Sequence, residues 1–274
     1  MAVIDWVASP TELARMRTAA AIVLECRRWF AANPAGVLGE IAAGDAPLAE
    51  WRHYPAGEVY DPDSHAQYFY HLHPEAGRPA REHGHFHTFL RAEGIPKGIA
   101  PWVLPETAIA DAARPPPQAA PLRQGARDEV CHLIAITLDP AGEPARLFTT
   151  NRWVTGETWY RAEDVVRMLD RFAIGEAGQS PVLNQWVVAL VALFRPQIAA
   201  LLRARDETMM AWRRRRRANV FEDMRLEIIS SLAIDIDAQL VLLERASALA
   251  GSDGLPRPPA LPRMAEGWGE GHAS

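Results

Sequence analysis

The sequence predicts an α+β fold: a four-stranded antiparallel sheet flanked by an N-terminal helix and long C-terminal helices. Three observations carry that prediction. Apolar residues near the N-terminus recur at three- and four-residue steps, the middle of the chain switches to alternation with period two, and the region after Trp159 returns to helical spacing. An antiparallel sheet between helical segments belongs to the α+β class, because strands and helices are segregated along the chain and do not alternate.

The first helix begins at Ser9, an N-cap hydroxyl, with Pro10 at the first helical position and Glu12 completing a capping box. Leu13, Met16, Ala20, Val23 and Cys26 give it one buried stripe as far as about Phe30. A short helix follows over about Val37 to Ala43. Strands are expected at about 65–73, 83–91, 130–138 and 146–154. The last two form a hairpin, because Asp139-Pro140-Ala141-Gly142-Glu143-Pro144 is turn chemistry between two runs rich in β-branched residues. Residues 105–125, with RPPPQAAP, read as a long proline-rich loop or lid. Beyond the sheet, helices are expected from Glu163 to Phe172, from Pro181 with a kink at Pro196, and from the Asn219/Glu222 capping box to about Ala250. Residues 1–250 are thus expected to form one domain, with the sheet at about 58–155, helices at about 160–250, and a disordered Gly/Pro-rich tail at 251–274.

The candidate site lies in HAQYFYHLHPEAGRPAREHGHFHTFLR, residues 65–91, which holds six of the nine histidines. His71 and His73, and then His83, His85 and His87, are spaced by two, so on strands each set projects from one face. If the two strands pair with His71 opposite His85 and His73 opposite His83, neighbouring imidazoles stand about 4.5–5.5 Å apart at Cβ, within chelating reach. A slip of two residues preserves this, whereas a slip of one separates the sets. His83 and His87 lie about 13 Å apart along a straight strand, so only adjacent members can share an ion. The expected metal ligands are therefore drawn from His71, His73, His83, His85 and His87, with zinc or iron as the ion. Glu58, Asp61, Asp63 and Glu82 are nearby carboxylates that could complete a mixed set. Phe69 and Phe89 on the same face point to a partly buried pocket. The competing reading is a polar sheet face whose histidines bond to tyrosines, backbone and water.

His132 shares parity with Ile134, Ile136 and Leu138, which places it at the end of an apolar face as a core-edge residue or an additional ligand. Cys131 points the other way. Arg152, in TTNRWVTGETWY, is a candidate clamp for a substrate carboxylate or phosphate, or else a structural ion pair. Arg213 to Arg217 complement a helix C-terminus, or else meet an acidic partner or nucleic acid. The stripe Leu183, Trp186, Val187, Leu190, Val191, Phe194, Ile198 and Leu201 is core or the seam of a homo-oligomer.

Bulk properties narrow the classes. Hydrophobic residues at 49% and charged residues at 23% are those of a globular protein. A formal charge of −5 gives no global attraction to nucleic acid or anionic lipid. Two distant cysteines, Cys26 and Cys131, argue against a disulfide framework and a thiolate zinc site. No secretory pattern and no apolar run long enough to span a bilayer is readable, so a cytoplasmic protein without a membrane span is expected. No GxGxxG, Walker A, GxSxG or HExxH pattern is present, which removes support for the chemistries those motifs serve.

The segments EHGHFHTFL, HLIAITLD and LFTTNRWVTGE together resemble an uncharacterised bacterial domain family of unknown function, over roughly residues 10–250. The resemblance implies no activity and no ligand set. The residues themselves predict a metal-binding protein, in its sharper form a metal-dependent enzyme acting on a small molecule. Alternatives are a non-catalytic interaction module using the C-terminal helices and arginine run, and a small-molecule or tetrapyrrole binder anchored by histidine.

Overall fold

The computed structural model describes residues 9–43, 47–77, 81–102, 129–216, 219–250 and 256. The expected proline-rich loop and almost all of the expected tail lie outside the described residues. Helix α1 (Pro10–Ala32) starts with the expected capping box, and α2 (Gly36–Ala42) follows. The sheet contains six strands, not four: β1 (Tyr54–Tyr60), β2 (Ala66–His71), β3 (Gly84–Arg91), β4 (Val130–Leu138), β5 (Pro144–Thr150) and β6 (Ile228–Ala233). They are hydrogen-bonded in chain order, each antiparallel to the next. Between β5 and β6 run α3 (Arg152–Thr155), α4 (Ala162–Met168), α5 (Pro181–Leu193) and α6 (Arg195–Arg215), and α7 (Ile236–Leu249) follows β6.

The two additional strands are the sheet edges. Pro55 and Gly57 break the strand pattern of β1, yet both are tolerated at an edge, where one side of the backbone needs no ladder partner. The expected helix from Asn219 to Ala250 is corrected in three parts. Asn219 caps only a single 3-10 turn over Val220–Glu222, Ile228–Ala233 is extended against β5, and Asp235 starts α7 by accepting from the Ala238 amide. Tertiary pairing with an available sheet edge overrides a capping motif of modest energy. The strand expected at 146–154 ends at Thr150, because Asn151 caps α3.

One face of the sheet carries the main core. Tyr68, Tyr70, Phe86, Leu90, Ile134, Ile136 and Leu147 are buried there with Met16, Val23 and Phe30 of α1 and with the apolar stripe of α5 and α6. Trp186 sits edge-on to both Phe30 and Phe86, at 5.5 and 6.3 Å between ring centroids. All eight residues of that stripe, Leu183 to Leu201, are consumed in the chain's own core. The bend expected at Pro196 occurs, with α5 and α6 meeting at 67°. Among the described residues, no single helix is long and apolar enough to cross a membrane.

Candidate metal centre

The opposite face of the sheet holds His71, His85 and His87. β2 and β3 pair with Phe69 opposite His87 and His71 opposite His85, the register read from parity. The pairing ends there, since β2 stops at His71 and β3 starts only at Gly84. His83 therefore does not face His73. Its Nδ1 hydrogen-bonds the Tyr70 hydroxyl at 2.8 Å, and Tyr70 belongs to the main core. His73 stays beside the group, its ring 5.0 Å from His71 and 5.2 Å from His85, resting on Trp51.

His132 reaches this face by a route that parity conceals. The β3–β4 register shifts so that Thr88 faces Ile134 while Phe89 faces His132, leaving Leu133 as the extra residue of a β-bulge. Ile134, Ile136 and Leu138 keep the core side, but His132 is turned to the histidine side, where its Nε2 lies 3.0 Å from His87 Nδ1. Its own Nδ1 is 3.4 Å from the Thr150 hydroxyl. The Glu157 carboxylate accepts the His132 backbone N–H at 2.9 Å and fixes the bulge.

His71, His85 and His87 converge: one nitrogen from each lies within 4.8 Å of the other two. His71 Nε2 and His85 Nε2 are 2.7 Å apart, one donating to the other. Nitrogens on one tetrahedral zinc with bonds of about 2.0–2.1 Å stand about 3.3 Å apart, so small side-chain rotations fit the three to an ion. Burial keeps the rings neutral and available. Desolvation, reinforced by neighbouring imidazoles, pulls the His71 pKa to about 3 and those of His85 and His87 well below the ordinary value. Burial, with Arg205 behind it, brings His132 to about 3.

His53, which sequence reasoning missed, joins from the segment before β1. It stacks on Phe69 at 3.8 Å, approaches His71 edge-on at 5.6 Å, and donates from Nδ1 to the buried Glu58 carboxylate at 2.8 Å. No pattern of spacing marks it; only the return of β1 alongside β2 brings it there. Glu58 is thus spent on His53 and Gln67, and Asp61 on the amides of Asp63, Ser64 and Gly175. Glu82 is held by Arg146 in two bonds of 2.7 Å. Arg152 donates to Glu222 at 2.8 Å and lies over Phe221, the ion-pair alternative of the sequence reading. It is not among the residues lining the cavity.

That cavity, about 440 Å³, opens in front of His53, His71, His73, His85 and His87. Trp51, Phe69, Phe89, Phe148 and Trp153 wall it.

A family model described as a domain of unknown function, DUF6969, matches residues 17–234. The chain belongs to the DUF6969 family. The span that matches the DUF6969 model contains all six strands and every residue lining the cavity, whereas α7 lies beyond it. Neither the curated proteins nor the solved structures searched returned a match.

Proposed function

We propose that this protein binds a divalent transition metal through His71, His85 and His87, with a remaining coordination position open to the cavity for water or substrate, as a metal-dependent enzyme requires. The observation that carries this reading is the convergence of three imidazole nitrogens within 4.8 Å on one wall of a cavity. Three neutral histidines with an open fourth position form a catalytic zinc donor set, whereas the common iron(II) triad takes two histidines and a carboxylate. Glu58 and Glu82 are tied to His53, Gln67 and Arg146, so the donor set favours zinc. His73 and His53 stand beside the ligands, and His132 stands behind His87.

Tag-free protein, purified without chelator and then offered zinc or iron(II), should hold about one metal per chain. The His85→Ala/His87→Ala double variant should fall below about 0.1 per chain while keeping its helix content by circular dichroism. Wild-type protein that never loads, or a double variant that still binds stoichiometrically, would refute the assignment.

A further inference from the structure

We propose that the exogenous ligand of this centre is a small aromatic molecule carrying an anionic oxygen donor, its head on the ion and its ring between the aromatic walls. This rests on the metal reading above. Charge argues for the head. Three neutral imidazoles leave a divalent ion's charge uncompensated, and His85 and His87 are buried, so that charge is weakly screened. Two carboxylates face the cavity: Glu82, neutralised by its bidentate pair with Arg146, and Glu227, exposed at the mouth and screened by solvent. Glu58 stands behind His53 and serves that ring. An incoming anion therefore gains more at this ion than a neutral molecule of the same shape.

The walls argue for the body. Phe69 and Phe89 stack at 5.6 Å as one panel, Phe148 turns its ring edgewise to His85 at 5.1 Å, and Trp51 and Trp153 complete the enclosure. Flat π faces around a cavity of about 440 Å³ suit offset or edge-on packing of another ring, and the volume is in the range of small-molecule sites, about 300–1,000 Å³. Trp51, 63% exposed at the rim, also rests on His73, so it can adjust to an entering ring without disturbing the core.

The test uses cobalt(II) in place of spectroscopically silent zinc, with benzoate, acetate and benzyl alcohol as probes. Benzoate should change the visible cobalt spectrum with a Kd at least about 10-fold below that of acetate, the worth of burying the ring, and benzyl alcohol should leave the spectrum unchanged. Trp51→Ala, at an exposed rim position, should raise the benzoate Kd while leaving the acetate Kd and the cobalt content as they were. Equal affinity for benzoate and acetate, equal binding of benzyl alcohol, or a cobalt-loaded protein indifferent to all three overturns the ligand class and leaves the metal site standing. A chain that takes up neither cobalt nor zinc overturns the metal reading itself.

Discussion

His132 and His87 share one hydrogen bond of 3.0 Å, which couples the tautomers of the two rings. When His87 turns Nε2 to an ion, its Nδ1 carries the proton and donates to His132 Nε2; His132 Nδ1 then donates to the Thr150 hydroxyl. His132 would thereby hold His87 in the tautomer that the proposed ion requires. Its replacement by alanine should weaken zinc affinity about 10- to 100-fold with stoichiometry unchanged, measured by competition with a chromophoric chelator. His132→Gln, whose side-chain carbonyl still accepts from His87 Nδ1, should recover part of that loss. A His132→Ala variant with wild-type affinity would show the pair to be packing only. At this scale the sequence disclosed His71, His85 and His87 through spacing alone. It could not disclose His53, whose neighbours are ordinary loop residues, nor decide between the two fates of Arg152, since an ion pair with Glu222 depends on a contact 70 residues away.

The β4 bulge is the element that assembles this arrangement. An extra residue between Ile134 and His132 frees the His132 amide from its ladder, and the buried Glu157 carboxylate takes it. Glu157→Ala leaves that amide without its acceptor and should cost about 1–3 kcal/mol in denaturant unfolding, together with weaker zinc binding. Unchanged stability would mean that water or a shifted backbone replaces the carboxylate. A bulge of one residue inverts parity beyond it, so the period-two reading that worked on β2 and β3 assigned His132 to the apolar face. The edges were hidden for related reasons: Pro55 and Gly57 mask β1, and the run around Ile228 is extended because β5 offers it a partner. By contrast, α1 was readable end to end, because its cap and its stripe are both local.

Over the whole molecule, the histidine face is polar surface enclosed by protein, and that enclosure has a pH signature. The unfolded chain protonates these rings near the ordinary pKa of 6.5, while in the metal-free fold His71 and His132 stay neutral to about 3 and burial holds His85 and His87 well below the ordinary value. Below pH 6.5 the unfolded state binds more protons, so stability is complete above that value and is lost as pH falls toward 3. Each group contributes up to about 1.4 kcal/mol per pH unit. The denaturation midpoint of metal-free protein should therefore be lower at pH 5.5 than at pH 7.5, and the drop should be smaller in His132→Gln. A midpoint independent of pH over that window would contradict neutral burial. On the proposed metal reading zinc would bind only the folded, deprotonated cluster, so adding it should raise the midpoint at pH 7.5.

The sequence by itself determined the local facts: the caps and stripes of α1 and α5, the β4–β5 hairpin, and the parity that sets His71, His85 and His87 on one face. Each follows from a periodicity that backbone geometry imposes on neighbours in the chain. The tertiary structure decided which histidines meet. His83 was turned away by the end of a strand pairing, His132 was turned in by a bulge, and His53 was delivered by an edge strand from outside the histidine-rich segment. Those outcomes depend on hydrogen bonds between residues far apart in sequence, where spacing along the chain carries no information about proximity.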